Sequence, residues 1–181
     1  MRALSLMLVA VVGLMVLGRS VPARAATQDE LGPPLLSSGD VPAGFTEFQR
    51  GQIDQVTEQG IPHAFVLYTR LPSLRTPSIG AVGVLLADAA SADAANVTPE
   101  QLIGNLSETG VSVTPISAPA IGRETLAYHI SETITGITLS GDCITWRQSG
   151  VLAVVCGLGE GTNAVTLAQT QQMRLLYAFP E

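Results

Sequence analysis

Two histidines carry the most obvious potential for acid–base or metal chemistry in this chain of 181 residues. His129 lies three residues before Glu132, and the two could act as an acid–base pair or as metal ligands. In a β-strand, however, residues three apart point to opposite faces, so these side chains would not meet. His63 lies between Pro62 and Ala64 and has no carboxylate near it in the sequence. We therefore expect both histidines to be dispensable, and replacing them together should change stability by no more than about 1 kcal/mol.

A hydrolase in this chain would have to use His63 or His129, because the chain has no other histidine. The sequence contains neither the G-x-S-x-G pattern of a serine nucleophile nor the H-E-x-x-H pattern of a zinc peptidase. The glycine-rich segment 157–163 lacks the spacing of a phosphate-binding loop, and Glu160 within it would repel phosphate. The sequence thus predicts no catalytic residue, no cofactor-binding residue and no metal ligand, and a small hydrolase is an alternative interpretation.

Cys143 and Cys156 are the two cysteines of the chain, and they flank two short β-type runs around Ser149 and Gly150. If Ser149-Gly150 form a two-residue turn, the facing pairs run outwards until Cys143 meets Cys156. The cysteines then occupy a non-hydrogen-bonded pair, in which the Cα atoms lie roughly 4.5 Å apart and a disulfide can form. A three-residue loop with a bulge at Gly150 would break this register. We predict a disulfide between the two, which leaves no free thiol to act as a nucleophile.

Apolar patterns predict a sheet that positions these residues. The predicted strands are 45–50, 63–71, 79–87, 111–116, 126–134 and the two arms of the hairpin over 142–157. The segment 79–87 is apolar at both odd and even positions, so it should be an inner strand of the sheet with both faces covered. From Leu126 onwards apolar and polar residues alternate, which predicts a buried face and a wet face that carries His129. In the hairpin, Trp146 should lie at the centre of a core patch on the face opposite the cysteines.

The segment 163–179 should close the chain as a helix with one apolar stripe, although Gln171 and Gln172 interrupt that stripe. Further helices are predicted over 98–110 and 88–96, with a short helix or a loop over 52–60. Antiparallel strands combined with helices are typical of an α+β domain in which the helices pack on the sheet. The predicted fold is therefore α+β, with a disulfide-linked hairpin and a C-terminal helix.

The first 25 residues have the pattern of a secretory signal peptide. Met1-Arg2 supplies a positive start, residues 3–18 form an uncharged apolar run, and Ala23-Arg24-Ala25 has the small residues that a signal peptidase reads. An uncleaved anchor is the competing interpretation, but the run is shorter than the roughly 20 residues of a spanning helix. We expect a signal peptide over 1–25, a disordered leader over 26–34 and a single domain over 35–181. The mature protein would then be secreted or extracytoplasmic, without membrane contact.

The charge balance restricts the partners of the chain. The formal net charge is −6, and the first 25 residues hold three of the nine arginines and no acid, so the mature chain would have six arginines against fifteen acids. Nucleic acids and anionic membranes are bound through clustered basic residues, so neither is expected as a partner. Two cysteines in an exported chain favour a disulfide over a metal site.

The entry 40–45, Asp-Val-Pro-Ala-Gly-Phe, leads into a strand with aromatic and arginine residues; a glycine-terminated hairpin and a closing helix follow. In this order of elements the chain resembles small exported bacterial domains. They include domains of the PsbP-like antiparallel α+β fold and the extracellular sensor domains of mycobacterial kinases. The resemblance implies an exported α+β domain, and its PsbP-like members suggest a photosynthetic accessory protein. It includes no catalytic motif, and a fold alone does not carry a function.

These observations favour an exported, non-catalytic domain that binds a protein partner or a small ligand outside the cytoplasm. A small extracytoplasmic hydrolase that uses His63 or His129 is the first alternative, and a PsbP-like accessory protein is the second. A folded chain that brings either histidine to a serine and a carboxylate in a concave pocket would favour the hydrolase.

Overall fold

The computed structural model describes residues 25–72, 78–94, 111–134 and 137–180. The described strands are β1 (Thr46–Gly51), β2 (His63–Arg70), β3 (Gly80–Asp88), β4 (Ser112–Ile116), β5 (Arg123–Ile134), β6 (Ile137–Gln148) and β7 (Val151–Gly159). The described helices are α1 (Gln28–Leu31), α2 (Asp54–Glu58), α3 (Ala89–Ala94) and α4 (Ala164–Ala178). The predicted signal peptide, apart from Ala25, and the predicted helix over 98–110 lie outside the described residues.

The strands form one antiparallel sheet in the order β1-β2-β3-β7-β6-β5-β4. Strands β1 to β3 form one meander and β4 to β7 a second, and the pairing of β3 with β7 joins them. Every residue of β3 is buried, as its apolar character at both parities predicts. The predicted antiparallel sheet with a C-terminal helix is thus confirmed, and sheet is the dominant element of the described chain.

The register predicted for the hairpin of β6 and β7 is also confirmed. Ser149 and Gly150 both have positive φ, of 47° and 82°, as a turn that matches strand twist requires. Gln148 pairs with Val151 at the turn, and Cys143 faces Cys156 further along the strands. The Cα atoms of the two cysteines are 4.1 Å apart and their sulfur atoms lie at disulfide distance.

Apolar side chains cover both faces of the sheet. The face that carries Trp146, here the Trp146 face, includes Val66, Tyr68, Val82, Val84, Leu86, Ile144, Ala153 and Val155. The face that carries the cysteine pair, here the disulfide face, includes Phe65, Leu67, Leu85, Tyr128, Ile130, Leu152, Val154 and Leu158. The Trp146 side chain is fully buried, as predicted. Strand periodicity alone decides this division, because successive residues point to opposite faces.

Helix α4 packs on the Trp146 face, and Leu167, Ala168 and Leu175 belong to the same buried cluster as Trp146. The indole Nε1–H of Trp146 donates to Gln172 Oε1. The Gln172 amide in turn donates to Gln148 Oε1 at 2.8 Å. A buried indole N–H needs an acceptor, and Gln172 supplies it from the helix. This contact explains one of the two glutamines that interrupt the apolar stripe.

Gln171 connects α4 to the segment near the start of the described chain. The N–H of Leu36 donates to Gln171 Oε1 at 3.1 Å, and Gln171 Nε2 donates to the carbonyl oxygen of Pro34 at 2.8 Å. The side chain is fully buried, so both bonds are shielded from water. The second glutamine of the stripe therefore satisfies main-chain groups that would otherwise be buried without partners.

The prediction of a disordered leader over 26–34 is wrong. Residues 28–31 form α1, and Ala26 and Leu31 are buried in the cluster on the Trp146 face. The N–H of His63 donates to Gln28 Oε1 at 2.9 Å, and Gln28 Nε2 donates to the carbonyl oxygen of His63. This segment is ordered because Ala26 and Leu31 join the apolar cluster of the Trp146 face, and burying apolar surface offsets the entropy of ordering the chain.

Asp40, the first residue of the segment 40–45, links that segment to α4. Its Oδ2 accepts hydrogen bonds from the Ser37 N–H at 2.7 Å and from Arg174 Nη2 at 2.6 Å. Burial alone would raise the pKa of Asp40, but the bonds from Ser37 and Arg174 outweigh it and hold that pKa below its usual value. Val41 and Phe45 of the same entry are buried. The segment 40–45 thus links the N-terminal part of the described chain to α4 and contributes to the core.

On the disulfide face, Arg147 joins α3 to the sheet. Its Nη2 lies 2.7 Å from Asp93 Oδ1 and its Nε lies 2.7 Å from Glu124 Oε2. Arg147 is almost fully buried, so the two carboxylates balance its charge in a poorly solvated place. The alanine-rich segment predicted to be helical includes α3, and α2 lies in the segment predicted as a short helix or a loop.

Strand β5 only partly follows its predicted alternation. Tyr128 and Ile130 are buried and His129 is exposed, as expected, but Leu126 is exposed and Ala127 is buried. Both residues keep the regular pairing register, and Ala127 is buried because it lies opposite Ile144 in the cluster of the Trp146 face. The described helices include none with the length and apolar character needed to span a bilayer.

Candidate functional site

His129 and Asp142 form a pair on the Trp146 face, on the neighbouring strands β5 and β6. They are directly opposite in the register, and His129 Nδ1 lies 2.8 Å from Asp142 Oδ1. The side chain of His129 is 47 % exposed. Two fixed strands thus bring an imidazole and a carboxylate together, an arrangement that orients a general base in many enzymes.

The surroundings of this pair are apolar on one side and polar on the other. Towards one end of the strands, the same face continues into the buried pair Ala127 and Ile144. Towards the other end and on β4, its side chains are Ser112, Thr114, Ser131, Thr133, Thr138 and Ser140. All of them are exposed or half-buried. Ser131 and Ser140 form the next cross-strand pair on this face, two residues or roughly 7 Å along the strands from His129. Among the residues that the structure describes, the hydrogen bond of the His129 ring goes to Asp142 and not to a serine.

His129 and Glu132 lie on opposite faces, as strand geometry predicts. Glu132 is opposite Leu139, which belongs to the disulfide face. Its Oε2 is buried and has no hydrogen-bond partner in the described part of the chain, and burial raises the pKa of this carboxyl group. The acid–base pair that the spacing of these two residues suggests is therefore absent.

His63 is an interior residue, and the expectation that it behaves as a surface residue is wrong. It is 1 % exposed. Its Nε2 accepts a hydrogen bond from the Ile53 N–H at 2.8 Å, and its Nδ1 lies 2.8 Å from the carbonyl oxygen of Ile61. Since one ring nitrogen faces a donor and the other an acceptor, the arrangement fits the neutral tautomer protonated at Nδ1. Both ring nitrogens are occupied by main chain, which leaves neither for catalysis or metal binding.

The other candidate sites have structural explanations. Asn163 caps α4, because its Oδ1 accepts from the Thr166 N–H at 3.0 Å, so the glycine-rich segment ends in a helix cap. Cys143 and Cys156 are buried and joined, so neither is a free thiol. The described residues include no cluster of three or more His, Cys, Asp or Glu side chains that could hold a metal ion.

A second candidate surface lies on the outside of α4. Met173, Leu176 and Tyr177, here the outer ridge, point away from the sheet, and the exposed fractions of Met173 and Tyr177 are 67 % and 92 %. At 100° per residue these side chains lie opposite the stripe that contains Leu167 and Leu175. The helix is therefore apolar on its buried side and, near its end, on its outer side as well.

Sequence reasoning missed the outer ridge because it followed only the stripe that faces the sheet. The signal was present: in a surface helix the side opposite the apolar stripe is normally polar. Methionine, leucine and tyrosine at positions 173, 176 and 177 depart from that pattern. Large apolar side chains outside the core stripe are the feature that could have identified this surface.

Comparison with known proteins adds a distant resemblance. No protein-family model matches the sequence. No curated protein matches it. Among solved structures, the chain is similar to the crystal structure of LpqN, described as involved in cell envelope biogenesis of Mycobacterium tuberculosis. That similarity has a TM-score of 0.33 and 11 % sequence identity over 74 % of this chain and 78 % of LpqN. The chain thus resembles one bacterial envelope protein only remotely.

Proposed function

We propose that this chain is an exported, non-catalytic domain that binds a protein partner outside the cytoplasm through the outer ridge of α4. The single observation that carries the proposal is the exposure of Met173, Leu176 and Tyr177 on one side of a helix whose other side is already packed. Exposed apolar side chains that lie together mark interaction surfaces on soluble proteins. The signal-peptide pattern and the paired cysteines support an extracytoplasmic location.

The residue types of the outer ridge support a protein as the occupant. Methionine and tyrosine are enriched in protein interfaces, since methionine adapts to irregular surfaces and tyrosine offers a large area at low entropic cost. The helix that carries them is held in place by Gln171, Gln172 and Arg174. Because the backbone of the outer ridge is already ordered, binding of a partner would cost little conformational entropy there.

The net negative charge of the domain indicates the charge of the partner's surface. A mature chain with six arginines and fifteen acids attracts basic surfaces. We therefore propose a partner with an apolar cleft that accepts Tyr177 and with arginine or lysine around its rim. A small ligand is the alternative occupant.

A photo-crosslinking experiment tests this proposal. A benzophenone amino acid at position 177 of the mature domain should form a specific adduct with an envelope protein, and excess unlabelled parent should compete it away. Met173→Ala combined with Tyr177→Ala should weaken this competition by about 10-fold or more, as for a pair of interface anchor residues. Thr138→Ala, on the exposed part of the Trp146 face, is the matched control and should compete like the parent.

Two results would contradict the proposal. The first is an adduct that the Met173→Ala and Tyr177→Ala variant competes away as well as the parent does. The second is that the ridge joins two copies of this chain. Light scattering would then show a dimer that the ridge variant converts to a monomer. A melting temperature of the variant close to that of the parent is the control for folding.

A small extracytoplasmic hydrolase is the second candidate function, and the contact between His129 and Asp142 supports it. The pair lies on a partly exposed part of β5 and β6, which gives a substrate little shielding from water. A panel of simple ester and amide substrates provides the test. Turnover that His129→Ala abolishes while the fold stays intact would favour the hydrolase over the non-catalytic domain.

A further inference from the structure

The main-chain nitrogen of Ala26 lies against a buried carboxylate. The Ala26 N–H donates to Asp88 Oδ1 at 2.9 Å, across 62 residues of sequence. Ala26 is buried among the apolar residues of the Trp146 face, whereas Ala25 is exposed. Ala26 is thus the first buried residue of the described chain.

A negative charge on Asp88 would be poorly solvated, because the residue is only 1 % exposed. Its Oδ2 accepts a hydrogen bond from the Ser91 N–H at 2.7 Å, in the first turn of α3. In the described part of the chain, both oxygens of this carboxylate are paired with main-chain N–H groups and not with an arginine. Burying an ionised carboxylate costs several kcal/mol unless a positive charge lies beside it. The structure therefore holds a buried acid that lacks a described cationic partner.

The Ala25–Ala26 bond is also the bond that the signal-peptide pattern marks for cleavage. Hydrolysis of this peptide bond consumes one water molecule and leaves a carboxylate on Ala25 and an amine, protonated to an ammonium, on Ala26. The same nitrogen that donates one neutral N–H to Asp88 in the intact chain would then carry a positive charge and three N–H groups. A cation would thus be created at hydrogen-bond distance from Asp88.

We propose that the ammonium of Ala26, released by cleavage after Ala25, forms a buried ion pair with Asp88 and thereby completes the fold of the mature protein. This inference rests on the export proposed above. Cleavage one residue earlier would move the charge by about 3.8 Å onto exposed Ala25. The ion pair would attach α1 to the end of β3, beside the contacts of Gln28 with His63. The precursor, with its neutral amide, would be the less stable form.

The composition of the chain allows a direct test. All nine basic residues are arginine, so in a mature protein that begins at Ala26 the terminal amine is the sole primary amine. Protein with this start can be released in vitro from a fusion, without export. The rate of acylation by an amine-reactive ester should be at least about 10-fold lower in the folded protein than in urea, because a buried, ion-paired ammonium is a poor nucleophile. One glycine added before Ala26 should abolish this protection. Equal rates in the folded and unfolded Ala26 protein would overturn the proposal.

Acetylation of the Ala26 nitrogen provides a second readout, because it restores a neutral amide without adding a residue. It should lower the folding equilibrium constant of the parent by about 10-fold to 100-fold, which is less than the loss of a whole partner of a buried ion pair because the acetylated nitrogen keeps one N–H for Asp88. In Asp88→Asn the effect of acetylation should shrink to about 3-fold or less. Asp29→Asn, which removes an exposed acid of α1, should keep the full effect. If Asp88→Asn does not fold, the comparison of the acetylated with the unmodified parent protein decides alone. A folding constant that acetylation leaves unchanged would refute the ion pair.

Sequencing the N-terminus of exported protein separates this inference from the proposal of export. A mature start at another residue, with the protection intact in the in vitro protein, would refute cleavage after Ala25 and leave the affinity of Asp88 for the amine established. A start at Ala26 without protection would refute the ion pair and leave export established.

Discussion

The two histidines of this chain lie in strands of the same sheet, yet their surroundings are opposite. His63 is enclosed at the start of β2, and both ring nitrogens face main-chain groups of Ile53 and Ile61. His129 lies on an exposed part of β5, and its ring is hydrogen-bonded to the carboxylate of Asp142. A hydrogen bond to buried main chain replaces water that cannot reach the group, whereas an exposed pair competes with water. A histidine side chain therefore stabilises the fold at position 63 and contributes little to its stability at position 129.

The largest expected effect is at His63. His63→Ala removes the ring from between Ile53 and Ile61 and leaves one buried N–H and one buried carbonyl without partners. Together these losses should destabilise the fold by about 2–4 kcal/mol. Urea unfolding followed by tryptophan fluorescence measures this change, because Trp146 is the only tryptophan and is buried.

The control for His63 is the same substitution at the exposed position, His129→Ala. If the two variants unfold at the same urea concentration, the contrast between the histidines is wrong. Water would then have to reach the ring of His63 in the folded protein.

Asp142 and Cys143 repeat the contrast within one strand, since the first is only half-buried beside His129 and the second is fully buried with Cys156. Removing the disulfide with Cys143→Ala and Cys156→Ala should cost at most about 3 kcal/mol, the chain-entropy value for a loop of this length. The true cost should be lower, because the hairpin already holds both strands together and the Trp146 face keeps its packing. Thermal melts with and without reductant measure the effect in the parent.

Mass spectrometry of non-reduced peptides checks the bond itself. Free thiols on Cys143 and Cys156 in protein recovered from outside the cytoplasm would contradict the predicted disulfide. The double alanine variant, which has no thiol, is the control and should melt identically with and without reductant.

The elements that could be predicted from sequence are those determined by local pattern. The facing register of Cys143 and Cys156 follows from a two-residue turn and simple counting, and the burial of Trp146 follows from strand alternation. The burial of His63 could not be predicted in this way, because its partners, Ile53 and Ile61, lie on either side of helix α2 in the segment that precedes β2. The order in segment 26–34 also depends on distant contacts, with Asp88 and with the main chain of His63.

The burial of Glu132 is intermediate between those of the two histidines, and one of its carboxylate oxygens has no hydrogen-bond partner among the described residues. Burial raises the pKa of Glu132 in the folded state. A raised carboxyl pKa means that the folded state binds more protons, so the group contributes stability below its usual pKa and loses it as the pH rises through the folded pKa. Glu132→Gln should therefore stabilise the protein at pH 7 by about 0.5–1 kcal/mol.

The difference between Glu132→Gln and the parent should disappear below about pH 4, the usual range in which a glutamate is protonated in both states. Unfolding curves at pH 7 and at acid pH measure both values. Glu47→Gln is a matched control, since Glu47 is paired with Arg50 on β1 and its pKa is lowered by that hydrogen bond. A parent that is more stable than Glu132→Gln at pH 7 would show that a cation faces this carboxylate.

The smallest expected effect concerns His129 and Asp142. Because both side chains are close to half exposed, their contact should contribute no more than about 0.5 kcal/mol, within the usual range for exposed pairs. His129→Ala, Asp142→Asn and the double variant form a cycle that isolates this energy from other effects. The measured coupling should fall further in 0.5 M salt, which screens exposed charges. A coupling above about 1.5 kcal/mol that resists salt would mean that the pair is shielded from water by a surface beyond the described residues. The pair would then be a preorganised acid–base site, and the hydrolase would become the better account of this protein.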